Sequence, residues 1–276
     1  MGVKAIRATG ELLITAGLVI LMFVGYVLYG TGVHTANAQN VAGDKLEELW
    51  TTGGVLPGEM EGELPPDAQD PDESSAAVEQ SPGVDDPVVG SPRPSARASP
   101  GAATSSAPDK PAAKPRRDIP IGTGIARLRI PRLGADYQWV IGEGVTYSNL
   151  KEGPGHYPGT ALPGQVGNFV LSGHRTTYGA PFGRFGELES GDAVVVETAK
   201  NWYTYRVRAR EIVDPSQVSV LLPVPNQQGV APTERLMTLT TCHPQFSAKQ
   251  RLILYAVLDS TLDKASGARP PALGAA

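Results

Sequence analysis

The chain has 276 residues and a formal net charge of -4, so it lacks the basic excess that a nucleic-acid-binding surface needs. A single cysteine, Cys242, excludes an internal disulfide framework. The 25 prolines and 32 glycines are unevenly spread, so much of the chain builds no core, and the length allows one or two domains.

Residues 1–11 carry Lys4 and Arg7, and the run from Leu12 to Tyr29 that follows is apolar and uncharged. A helix of that length crosses a hydrocarbon core of about 30 Å. The first charges beyond it are acidic on balance (Asp44, Glu47, Glu48). The positive-inside rule then puts 1–11 in the cytoplasm, the anchor at 12–30 and everything later outside the cell. Ala36-Asn37-Ala38 resembles a signal-peptide cleavage site, but the apolar run is longer than a usual signal core, which favours an uncleaved anchor. In the juxtamembrane segment 31–50, Leu46, Leu49 and Trp50 mark a short helix from about Gln39, lying at the membrane surface. Residues 51–118 show no periodicity. Pro, Ser, Gly and Ala dominate there, and too few large apolar side chains remain to offset the entropy of ordering. They are expected to form a disordered linker that holds the next domain tens of Å from the bilayer.

Residues 119–262 are long enough for one core. Strands are expected at 126–130, 137–141, 168–172, 193–197, 202–213 and 218–222, and two more flank Cys242, at 236–242 and 252–258. Gly153 to Gly159 reads as a turn-rich loop, and 263–276 as a flexible tail. Many short strands with Gly/Pro punctuation indicate an all-β sandwich or barrel.

The chemistry centres on Cys242, which ends one strand shortly before Arg251 opens the next. A thiol acts as nucleophile only as thiolate, and a histidine is its usual activator. Of the four histidines, His34 lies beside the membrane and His243 points to the other face of the strand from Cys242. His174 ends a strand at L-S-G-H-R and ranks first; His156, in the Pro/Gly loop, ranks second. Arg251 is a fixed cation suited to an oxyanion, or else an ordinary surface arginine. Cys242, His243 and His174 also offer metal ligands, but no zinc-type spacing is present, and no acidic cluster suggests calcium. No metal or cofactor is expected. A non-catalytic, membrane-tethered β-domain that binds wall peptide is the competing reading.

T-L-T-T-C at Thr238 to Cys242, with Arg251 in Q-R-L-I-L, resembles the signature of the sortases, and L-S-G-H-R at Leu171 to Arg175 resembles their histidine motif. G-P-G-H-Y-P-G-T-A-L-P-G from Gly153 and Y-G-A-P-F from Tyr178 are most similar to class E sortases of high-GC Gram-positive bacteria. The resemblance implies an eight-stranded sortase β-barrel with short helices and a cysteine transpeptidase. In it Cys242 is the nucleophile, His174 the general acid/base, Arg251 the oxyanion or substrate-positioning residue, and Thr241 a wall of the substrate groove. The implied partners are secreted proteins with a C-terminal sorting signal, of the L-P-x-T-G type or L-A-x-T-G for class E, and a cell-wall precursor amine. A pilin lysine is the alternative acceptor.

Overall fold

The computed structural model describes residues 2–54, 119–120 and 122–274. The expected linker therefore lies, from residue 55 onward, outside the described residues.

Helix α1 (Val3–Gly25) passes through one π-turn (Tyr26–Gly30) into α2 (Thr31–Thr51). Tyr26 and Gly30 keep helical backbone angles, so the two helices run on without a break. The stretch Arg7–Gly25 is long and apolar enough to cross a membrane, and none of it is buried against the rest of the chain. At the other end Gly53 takes a positive φ of 80°, and Gly54 donates its N–H to Leu49 O at 2.7 Å, closing the helix as a glycine C-cap does.

Eight strands close a barrel among the described residues: β1 (Gly124–Arg129), β2 (Gln138–Glu143), β3 (Gly155–His156), β4 (Gly167–Ser172), β5 (Ala193–Glu197), β6 (Asn201–Val213), β7 (Arg235–His243) and β8 (Gln250–Asp263). The order around the barrel is β1-β2-β3-β4-β7-β8-β6-β5. Alternation fills the inside: Phe169 and Leu171 of β4, Met237 and Leu239 of β7, and Leu252 and Leu254 of β8 all enter one buried core. A short helix, α3 (Tyr147–Leu150), is capped by Thr146, whose side chain accepts from Asn149 N.

The expected strand at 218–222 is instead a 3₁₀ turn, Val218–Leu221. Its carbonyls do not join a ladder. Asn168 Nδ2 donates to Val220 O at 3.1 Å and to Leu222 O at 3.0 Å, and Val220 packs outside the barrel on Val213 and Ile253. The eighth strand is β3, in the stretch expected to be loop. It is two residues long, pairing parallel with β2 and antiparallel with β4. The C-terminal segment is tied down in part: Lys264 Nζ donates to Glu197 Oε1 at 2.9 Å and sits 4.2 Å from the centre of the Trp50 ring.

Helix α2 begins earlier than expected and lies along the barrel. Its contact stripe is Thr31, Thr35, Gln39, Ala42, Leu46 and Trp50, the three-to-four-residue spacing of one helical face. Gln39 replaces a strand partner for β2: it accepts from Val140 N at 2.7 Å and donates to Val140 O at 3.2 Å and Glu152 O at 2.7 Å. Thr35, fully buried, donates to Lys151 O at 2.7 Å. Leu46 is 2% exposed, a burial worth about 1.5–3 kcal/mol. Glu47 pairs with Arg127 at 2.7 Å.

Candidate active site

β4 and β7 are parallel neighbours, with Ser172 opposite Thr240. His174 follows Ser172 by two residues, and Cys242 follows Thr240 by two. Equal offsets from a paired position, on parallel strands about 4.8 Å apart, put His174, just past β4, and Cys242, near the end of β7, at the same end of the sheet. On the other side of β7, Cys242 lies opposite Arg251 of β8. The cysteine strand is thus flanked by the histidine on one side and the arginine on the other.

Alternation sets the face. Met237 and Leu239 enter the core, so Thr238, Thr240 and Cys242 point to the outer face of the barrel. Arg251 shares the outward parity of Ile253. Cys242 is a free, half-buried thiol. Arg251 Nη1 donates to Ala248 O at 2.9 Å and Gln250 O at 3.0 Å, and these two bonds fix the plane of the guanidinium. Nε and Nη2 are then the donors that remain for a substrate oxygen. The Tyr157 phenol lies across this face. Burial pushes its pKa up, while a hydrogen bond to Ser172 and the charge of Arg251 pull the other way.

The histidine turn is built tightly. A Cβ on Gly173 would stand 2.8 Å from the Phe182 ring, so the chain can only pass here as glycine. Gly173 N donates to Thr240 O at 3.2 Å, and Thr241 Oγ1 donates to Gly173 O at 2.8 Å. Thr241 is 2% exposed and lies on the opposite face of β7 from Cys242; its hydroxyl fastens the histidine turn to the cysteine strand. His174 is half-buried, and desolvation lowers its pKa. Its Nε2 is buried with no hydrogen-bond partner, a condition that among the described residues is shared only by Arg175 Nε. A buried polar atom left open in a folded protein calls for an explanation, and a proton-transfer role supplies one.

The other histidines are placed differently. His156 is 2% exposed, with Nδ1 2.6 Å from Glu143 Oε2 and Nε2 within 3.0 Å of Ala161 O and 2.9 Å of Thr160 Oγ1. Both ring nitrogens are occupied inside the barrel. His243 Nδ1 accepts from Arg175 Nη1 at 2.8 Å, and His34 is exposed on α2.

Comparison with known proteins settles the family. The sortase domain matches residues 128–259. The chain is 32% identical to Sortase SrtE1 of Streptomyces coelicolor over 279 residues; the match takes in 98% of this chain but 62% of SrtE1, so the chain spans less than two thirds of that relative's length. The structure of sortase E from Streptomyces avermitilis superposes with a TM-score of 0.51 at 41% identity, covering 56% of this chain and 99% of that one. The chain belongs to the sortase family. The SrtF sortase from Corynebacterium diphtheriae adds a TM-score of 0.55 at 34% identity, over 61% of this chain and 100% of that one. The eight-stranded barrel expected from the motifs is the fold of this sortase.

Three residues of the site escape a reading of the sequence. Arg175 Nη1 donates to Cys242 O at 3.1 Å as well as to His243, and the cysteine offsets part of the desolvation that lowers the Arg175 pKa. A charged side chain directly after the histidine, where a strand leaves the core, was the available signal. The other two are tyrosines. The Tyr178 ring lies 5.0 Å from the His174 ring and the Tyr147 ring 6.3 Å from it, edge-on. Their hydroxyls are 3.0 Å apart, and Lys151 Nζ stands 4.4 Å and 5.7 Å from the centres of the Tyr147 and Tyr178 rings. Together they form an aromatic wall behind the imidazole.

Proposed function

We propose that this sortase is a membrane-anchored cysteine transpeptidase that cleaves a C-terminal sorting signal of the L-P-x-T-G or L-A-x-T-G type between Thr and Gly and transfers the protein to a cell-wall amine. The observation that carries this reading is the register: His174, just past the end of β4, and Cys242, near the end of its parallel neighbour β7, are equally offset from the Ser172–Thr240 pair, with Arg251 opposite the cysteine. The C-terminal barrel and the apolar N-terminal helix suit an anchored enzyme working outside the cell on exported proteins.

The reaction follows from the placement. Cys242 Sγ passes its proton to His174 Nε2 and, as thiolate, attacks the carbonyl carbon of the signal's Thr; its electron pair forms the C–S bond while the C=O pair moves onto oxygen. The Arg251 donors face that oxyanion. As the tetrahedral adduct collapses, the C–N bond to Gly breaks. His174 Nε2, which has no protein partner to compete for its proton, delivers it to the leaving amine. A thioester joins the substrate's Thr to Cys242. The acceptor amine then gives up a proton to His174 and attacks the thioester; the C–S bond breaks, a new amide forms, and the His174 proton returns to Cys242 Sγ. Thr241 acts at one remove, through its hold on Gly173. The test is incubation with a panel of sorting-signal peptides and an amine acceptor, read by mass spectrometry. Transfer product is expected from the intact protein and none from Cys242→Ala; product from the Cys242→Ala protein would remove the thiol mechanism.

A further inference from the structure

The aromatic wall behind His174 is gripped by the N-terminal helix. Thr31 Oγ1 accepts from Tyr178 N at 3.3 Å, in a loop where Tyr178 and Ala180 both take positive φ. A Cβ added at Gly32 would stand 4.0 Å from Gly179 N, ordinary van der Waals contact, so helix and loop backbone run close together here. Thr35 holds Lys151 O. The α3 segment that carries Tyr147 and Lys151 and the loop that carries Tyr178 are therefore attached to the first turn and a half of α2.

That turn follows directly on the apolar segment. Thr31 is two residues beyond Tyr29, about 3 Å at the helical rise, and the backbone between them is helical. Whatever angle the helix takes to the bilayer, residues that touch Thr31 cannot stand far from the level at which the anchor leaves the hydrocarbon. The groups found there are those that favour an interface. Tyr147 is 63% exposed and Tyr26 68% exposed, Tyr178 interacts electrostatically with both, and the Lys151 ammonium stands over the Tyr147 and Tyr178 rings. Tyrosine rings with a hydroxyl at the wet end and a lysine on a long apolar stem are the residues that settle at headgroup depth.

We propose that the histidine end of the barrel is a membrane-docking surface, with Tyr26, Tyr147, Tyr178 and Lys151 seated among the lipid headgroups of the outer leaflet. The active site then opens at the bilayer surface, and α2 sets its height; the reach of residues 51–118 does not. The surface is extended from the anchor itself, which is what identifies lipid as its occupant. An attached sorting signal would meet Cys242 where it emerges from the membrane. The inference rests on the reading of residues 12–30 as a membrane anchor, and its test separates the two.

Cys242→Ala removes the chain's only cysteine, so single cysteines can be placed in that background and labelled with a nitroxide. Three sites are compared in the full chain, reconstituted in lipid bilayer discs: Tyr147→Cys, Leu18→Cys in the middle of the apolar helix, and Glu48→Cys, about 26 Å further along α2 than Thr31 at 1.5 Å per residue. Power saturation with oxygen, which enriches in the bilayer, and with a water-soluble nickel chelate gives the depth of each label. The expected order is Leu18 deepest, Tyr147 at headgroup depth with nickel accessibility several-fold below that of Glu48, and Glu48 in water. A Leu18 label in the hydrocarbon with a Tyr147 label as wet as that at Glu48 overturns the docking surface and leaves the anchor standing. A Leu18 label in water overturns the anchor, and the docking surface with it.

Discussion

At the scale of single residues, the site couples an unpartnered imidazole nitrogen to its desolvation. Burial holds the His174 pKa below its ordinary value, so the neutral ring is favoured at neutral pH. The acid limb of the pH dependence of kcat/KM is expected to follow this ring, within apparent values that belong to the thiol–imidazole pair. Tyr178→Ala removes the ring 5.0 Å away and admits water to the imidazole. Desolvation then falls, the His174 pKa rises towards its ordinary value, and the acid limb moves to higher pH. An acid limb that stays in place, with only kcat reduced, would mean that the tyrosine wall does not desolvate the histidine. The grouping of Cys242, His174 and Arg251 at one end of the sheet was readable because Cys242 is the only thiol and His174 follows the apolar strand run 168–172, whereas His156 stands in a Pro/Gly stretch with no period. Arg175 was not, since its role depends on Cys242 O, which the fold brings beside it from another strand.

At the scale of elements, what was legible followed hydrophobic alternation, and what was missed is held by other means. The strands on either side of Cys242 alternate cleanly, and they form β7 and β8 as expected. β3 has two residues and no room for a period, while 218–222 has strand-like composition but spends its carbonyls on the Asn168 side chain. The docked face of α2 is largely polar, with Thr31, Thr35 and Gln39 making hydrogen bonds to loop and strand backbone, so a search for apolar periodicity sees only its last turns. If α2 is an integral part of the barrel, Leu46→Ala should destabilise it by about 2–5 kcal/mol, the usual range for emptying a buried leucine site. Urea unfolding of the detergent-solubilised full chain, followed by near-ultraviolet circular dichroism, reads that loss directly. A shift below about 0.5 kcal/mol, the size expected of an ordinary surface position, would show that the helix contributes little to the barrel.

At the scale of the whole molecule, the chain joins a helix of membrane-spanning composition to a barrel whose histidine end lies against the start of α2. The length and acidic balance of the chain gave no hint of that arrangement; contacts between residues more than a hundred positions apart make it. The proposed mechanism turns on a covalent intermediate at Cys242. Its most direct test is the intact mass of the full chain after mixing with a sorting-signal peptide in the absence of an acceptor amine, followed by digestion to locate any adduct. The expected result is a mass increase equal to the peptide's N-terminal portion ending at Thr, less one water, carried on Cys242 as a thioester and discharged when amine is added. Peptide cleavage with no adduct on Cys242, or an adduct on another residue, would contradict it.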